Sequence, residues 1–130
     1  MAYEIKDSGK REEFKTGAVR DVSTGKGRFD LLPPATIRAL AIHFEKGATK
    51  YEARNWEKGM LLSEFFDSGM RHAFQFLEGL DDGENHLISA IWNLVCLYET
   101  ILRIQSGRLP PSLNDLPKKV KLPNPYEVSK

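Results

Sequence analysis

Apolar residues recur at Ile37, Leu40, Ala41, Phe44, Ala48 and Tyr51, three or four apart, the spacing of one face of an α-helix. Pro33 and Pro34 cannot continue a preceding helix, but proline fits a first helical turn, so the pattern predicts a helix over 34–51. A second stripe, Leu62, Phe66, Met70, Ala73 and Leu77, predicts a helix that begins near Ser63. Ser63 would be its N-cap, Glu64 would face the positive end of its dipole, and Gly79 would stop it. From Glu84 to Ser106 the chain is apolar nearly all round. Leu87, Ile91, Leu94, Tyr98 and Ile101 mark one face, Ile88, Val95, Leu97 and Leu102 the others, before Gly107 and the Pro110-Pro111 pair end the run. Such a helix needs burial on most sides. Two companions in so short a segment supply thin cover. The pattern therefore predicts an all-α fold, a small bundle of three main helices that forms a homo-oligomer through the third.

The flanks read differently. Residues 1–32 show no sustained periodicity and no alternation long enough for a sheet, so they are expected to form an extended arm. Residues 108–130, rich in proline and lysine, are expected to form an extended tail. The helical domain is thus 33–107.

Composition narrows the class. A net charge of +1 on 130 residues excludes a protein that coats nucleic acid through basic excess. The single Cys96, between Leu94, Val95 and Leu97, reads as a buried thiol and fits a reducing cytoplasm. "MAYEIKDSGKREEFK" has no apolar core and is not a signal peptide. No uninterrupted apolar run approaches the roughly 18 residues of a membrane helix, so no membrane partner is expected.

Several clusters can carry chemistry. "GATKYEARNWEKG" (47–59) sets Lys50, Arg54 and Lys58 beside Tyr51, Asn55 and Trp56. A solvated connector needs no tryptophan and a core segment needs no such charge; a pocket for an anionic, ring-bearing ligand wants both. "EGLDDGENH" (78–86) offers Glu78, Asp81, Asp82, Glu84 and His86, either oxygen-rich ligands for a hard cation or a polar turn before a helix. His86 and Asn93 are two helical turns apart on one face, polar groups on an apolar helix that need partners. Asp67 and Arg71 have the spacing of an i,i+4 ion pair, with His72 beside them. Glu45 borders the first stripe, as a rim residue or as a ligand. Lys26 and Arg28, in "GKGRFD", could wrap phosphate oxygens, although the spacing is not that of a P-loop. No Cys/His zinc pattern and no Ser-His-Asp set is present.

In order along the chain, "FKTGAVRD", "GKGRFDLLPP", "FEKGATKYEARNWEKG", "DSGMRHAFQFLEG" and "NHLISAIWNLVCL" resemble a group of mostly phage-encoded proteins named as dATP/dGTP diphosphohydrolases. These are akin in concept to the MazG-like all-α nucleoside triphosphate pyrophosphatases. The resemblance runs from about Phe14 to Leu97. It implies Mg²⁺- or Mn²⁺-dependent cleavage of a purine nucleoside triphosphate between the α and β phosphates, in the cytoplasm of a host. It also implies roles for matching residues: Glu45 and Asp67 as catalytic carboxylates, and Glu45, Asp67, Glu84 and His86 as metal ligands. Lys50, Tyr51, Arg54, Asn55, Trp56, Arg71, His72 and Asn93 would hold the nucleotide, with Lys26 and Arg28. The chain departs from the pattern at three places. Glu45 has no acidic partner at Ile42 or Ala48, Ser89 stands where a second histidine is common, and Glu52 follows the Lys-Tyr pair in place of glycine. An acidic set that fails to assemble would favour a second reading, a protein that sequesters a nucleotide without cleaving it.

Overall fold

The three expected helices form close to their expected bounds in the structure, a computed structural model that describes residues 3–127: α1 (Pro34–Lys50), α2 (Leu62–Leu77) and α3 (His86–Gln105). The described chain divides into two compact units, one made of the segment up to Leu32 together with that from Pro125, the other Pro33–Asn124.

The first unit corrects the expectation of a strandless arm. Strands β1 (Arg11–Glu13) and β2 (Val19–Asp21) pair antiparallel, with Glu12 opposite Arg20. Three residues per strand are too few to show alternation in the sequence. Charges and turns fix the hairpin instead. The Phe14 amide donates to the Ala18 carbonyl at 2.9 Å, Arg11 pairs with Asp7 at 2.7 Å, and Asp21 accepts from the Ser8 hydroxyl.

In the second unit α3 is the central element, and both α1 and α2 pack on it. α2 and α3 form an antiparallel hairpin, since Gly69 faces Asn93 while His72 faces His86. Gly69 allows the close approach: a Cβ there would lie 3.2 Å from Asn93 Cβ and 3.6 Å from the Ala90 carbonyl oxygen. Gly79 ends α2 as expected. Its φ of +74° lets Leu80 N–H reach the Gln75 carbonyl and Gly79 N–H that of Phe76, both at 3.0 Å. Asn85 caps α3, its side chain accepting from Ile88 N–H at 3.0 Å.

The cap of α2 is a correction. Ser63 is already helical, and Asp115 supplies the acceptor from 52 residues away, taking Ser63 N–H at 2.9 Å and the Ser63 hydroxyl at 2.5 Å. Those hydrogen bonds hold the Asp115 carboxyl below the usual carboxylate range. The tail is therefore tied to the bundle, a second time where Gln105 exchanges hydrogen bonds with the Leu122 backbone at 2.8 and 3.1 Å.

The core is small. Leu62, Phe65, Ile88, Ala90 and Cys96 are its buried apolar residues, and burial pushes the Cys96 thiol up to about 12. Phe66, Phe74 and Leu77 on α2 and Leu87, Leu94 and Tyr98 on α3 stay exposed. Judged by mean hydropathy (1.5) and length, α3 is long and apolar enough to cross a membrane, although no uninterrupted apolar run suggests it. Its buried polar residues, His86, Ser89, Asn93 and Thr100, and its place beneath two other helices are those of a bundle core.

Candidate functional site

The second unit holds a cleft of about 970 Å³ whose walls come from every element of the bundle. α1 contributes His43, Phe44, Lys46, Gly47 and Lys50. The connection to α2 contributes Tyr51, Arg54, Asn55 and Trp56, and α2 contributes Ser68, Arg71 and His72. Asp82 and Glu84 of the next turn, and Ser89, Trp92 and Asn93 of α3, complete it. Lys50, Tyr51, Arg54, Asn55, Trp56, Arg71, His72, Glu84 and Asn93 were all expected at a nucleotide or metal site, and the fold brings them to one cavity.

Where α2 meets α3, two imidazoles face each other. His72 Nδ1 and His86 Nδ1 are 3.0 Å apart, and the rings are stacked at 27°. The Glu84 carboxylate lies 3.9 Å from each of those nitrogens. It accepts from the Ser89 hydroxyl at 3.2 Å. His86 is 4% exposed, and its other nitrogen, Nε2, meets Asp82 Oδ1 at 2.8 Å. The same oxygen accepts Glu84 N–H at 3.1 Å. That backbone hydrogen bond, then the His86 ring, hold the Asp82 carboxyl below its ordinary range. His72, Glu84 and His86 present donor atoms that all lie within 4.8 Å of one another, a grouping that could hold a metal ion.

Of the expected ligands, Glu84 and His86 are in this cluster, and Glu45 and Asp67 are not. Neither of those two lines the cleft. Glu45 is exposed and is not part of the lining, although Ile42 and Ala48, three positions to either side of it, are. Asp67 is exposed and pairs with Arg71 at 2.6 Å. Lys26 and Arg28 belong to the first unit, where they pair with Asp21 at 3.2 Å and Asp30 at 2.8 Å.

Two residues of the site escape a reading of the sequence. His43 packs against Trp92, the rings tilted by 47° with centroids 5.4 Å apart. Burial lowers its pKa, and the Glu84 carboxylate opposes that while His72 adds to it. All three histidines of the chain, one from each helix, thus bear on the same place. His43 interrupts an apolar stripe beside Phe44, and that interruption was the available signal. Trp92 is the second, its apolar context on α3 concealing that it lines the cavity.

The 47–59 stretch is more ordered than a loop of charges. A 3-10 turn, Asn55–Lys58, is entered through Arg54 in the left-handed region, φ +63°. Among the described residues Arg54 alone, apart from glycines, takes positive φ. Trp56 is half-buried, 6.1 Å from the Phe44 ring, with the Arg103 guanidinium 5.5 Å over its own. Glu57 draws the segment together, pairing with Arg54 at 2.8 Å and Arg103 at 3.4 Å. Lys58 pairs with Glu52, and Lys50 lies 5.2 Å over the Tyr51 ring. The aromatic residues fasten this wall, and Lys46, Lys50, Arg54 and Arg71 give the cleft positive charge.

Comparison with curated proteins and with solved structures returns no match. A family model, dATP/dGTP diphosphohydrolase, N-terminal, matches residues 16–107, the stretch that contains all three helices and every residue of the cleft. Its span agrees with the five sequence blocks that carry the resemblance, and the chain belongs to the dATP/dGTP diphosphohydrolase N-terminal family.

Proposed function

We propose that the cleft binds a purine deoxynucleoside triphosphate and that the chain hydrolyses it to the monophosphate and pyrophosphate with the help of a divalent cation. The observation that carries this reading is the convergence, in a member of this family, of cations, aromatic rings and His72 and Glu84, with His86 buried beside them, on one cavity of ligand size. Arg54 and Arg71 are the phosphate-gripping groups, since a guanidinium meets phosphate oxygens through paired hydrogen bonds. Each is already paired with a carboxylate, Glu57 or Asp67, and would exchange that partner for phosphate. Trp92 and Tyr51 offer ring faces to the base. In the reaction a water oxygen bonds to the α phosphorus, the bond from that phosphorus to the bridging oxygen breaks, and the water gives up a proton. His43, held toward its neutral form by burial, is the group of the chain suited to take it. The cation would be held by His72, Glu84 and His86, and would neutralise polyphosphate charge when bound.

A second reading has its own observation. Glu45 and Asp67 stay out of the cleft, so a MazG-type acidic set does not assemble there, as in a protein that sequesters a nucleotide intact. One assay separates the two. The protein is incubated with each deoxynucleoside triphosphate and Mg²⁺ or Mn²⁺, and bound and free nucleotide and pyrophosphate are resolved by chromatography. Purine triphosphate consumed with stoichiometric pyrophosphate supports hydrolysis. Nucleotide retained unchanged supports sequestration, and neither retention nor loss removes both readings.

The exposed apolar stripes of α2 and α3 extend the proposal to assembly. Phe66 and Leu94 are exposed on two helices packed together, and a Cβ added at Gly69 would lie 3.7 Å from the Leu94 side chain. A second copy of this chain is the occupant that suits such a face, because a self-complementary patch closes as a dimer. Sedimentation at micromolar concentration is expected to show a dimer or larger species, and Leu94→Glu should return it to the mass of one chain. A wild-type protein that sediments as a monomer refutes the assembly.

A further inference from the structure

We propose that the His72–Glu84–His86 centre takes a borderline transition-metal cation, of the Co²⁺ or Zn²⁺ class, in preference to Mg²⁺, with Asp82 the positioning residue that holds His86 ready to ligate. It deepens the functional reading above and rests on it for its purpose, but its test needs no nucleotide.

The inference starts from one oxygen atom. Asp82 Oδ1 accepts Glu84 N–H at 3.1 Å and stands 2.8 Å from His86 Nε2. An ionised carboxylate only accepts, so the proton of that contact belongs to Nε2. The neutral ring then has its lone pair on Nδ1, the nitrogen aimed at His72. His86 is almost fully buried and cannot turn to water for a different arrangement. The ring is thus fixed in the tautomer that a metal ligand needs. A carboxylate behind the far nitrogen of a ligating histidine is the outer-shell partner that such ligands commonly have.

The second nitrogen faces the first. At 3.0 Å, two imidazole nitrogens either share a proton or flank a cation. Metal–nitrogen bonds of about 2.0–2.1 Å can bridge nitrogens at that separation. Glu84 holds one carboxylate oxygen 3.9 Å from His72 Nδ1 and the other 3.9 Å from His86 Nδ1, and one donor atom from each of the three residues lies within 4.8 Å of the others. Its carboxylate is braced by the buried Ser89 hydroxyl. The donor set decides the class of ion. Mg²⁺ wants oxygen ligands in near-octahedral array and keeps its waters, whereas imidazole suits the later first-row metals.

The test uses the full chain stripped of metal. Calorimetric titration with CoCl₂, ZnCl₂ and MgCl₂, in the absence of nucleotide, is expected to give at least about ten-fold tighter binding of Co²⁺ and Zn²⁺ than of Mg²⁺, following the donor preference. Co²⁺ should develop visible absorption bands as it enters the site. His72→Ala should abolish both signals. Asp82→Ala should weaken Co²⁺ binding by about 10–100-fold, the usual effect of losing an outer-shell partner. Asp82→Asn, which keeps an acceptor without the charge, should fall between. Melting curves of the metal-free variants confirm that each is folded. Equal or tighter binding of Mg²⁺, binding of none of these ions, or a His72→Ala variant that titrates like wild type overturns the proposal. Tight Co²⁺ binding in a protein that leaves every nucleotide intact supports the centre and counts against hydrolysis alone.

Discussion

Replacing Glu84 by glutamine is expected to lower nucleotide turnover by at least about a hundred-fold while leaving the fold in place. A hundred-fold loss corresponds to about 2.7 kcal/mol of transition-state stabilisation, a modest share of what charge neutralisation by a bound cation supplies. The glutamine keeps the length of the side chain and an oxygen that can accept from the Ser89 hydroxyl, so the local hydrogen bond survives. What disappears is the negative charge beside His72 and His86. The Glu84 side chain is half-exposed, so packing changes little and melting should stay near the wild-type temperature. Glu45→Gln is the matched control. Glu45 lies off the cleft, and its variant is expected to turn over nucleotide as wild type does. The reverse pattern, an inactive Glu45→Gln and an active Glu84→Gln, would move the catalytic centre to the carboxylates that the family resemblance implies and away from the histidine cluster.

That control turns on how much of the site was legible before the structure. The three helices were, because Ile37 to Tyr51, Leu62 to Leu77 and the 84–106 run carry helical periodicity strong enough to fix their faces. The rest depended on information that periodicity does not hold. Asp115 caps α2 from another part of the chain, and no local pattern links it to Ser63. The β1–β2 hairpin is three residues per strand and rests on side-chain pairs with Asp7 and Asp21. The site was half legible. Lys50 to Trp56, Arg71, His72, Glu84, His86 and Asn93 stood out by residue type in unusual company, and the fold gathers them. Glu45 is a rim residue or a ligand by its place beside the first stripe and a ligand by resemblance, and the structure leaves it exposed and off the lining. His43, on the cleft face, is the residue that the fold brings in instead.

Trp56→Ala tests the wall that the 47–59 stretch gives the cleft, and its expected effect is on stability first. The indole is half-buried between the Phe44 ring and the Arg103 guanidinium, so truncation removes contacts on two sides and leaves a void that the short 3-10 turn cannot close. Fully buried Trp→Ala changes cost about 3–5 kcal/mol. Half-burial places this one nearer about 2 kcal/mol, which for a unit of this size lowers the melting temperature by roughly 8–16 °C. Affinity falls as a consequence. Arg54 sits immediately before the turn in a left-handed conformation, which the surrounding packing must maintain at a cost of about 1–3 kcal/mol. Once Trp56 is gone, Arg54 is free to relax and its pairing with Glu57 loosens. Arg54→Gly separates the two effects: glycine takes φ +63° without strain, so this variant should melt at or above the wild-type temperature yet bind nucleotide more weakly for want of the guanidinium. Calorimetric melting and nucleotide titration of both variants check this. A Trp56→Ala protein that melts like wild type but has lost its nucleotide affinity would show that the ring stacks on the base and does not anchor the wall.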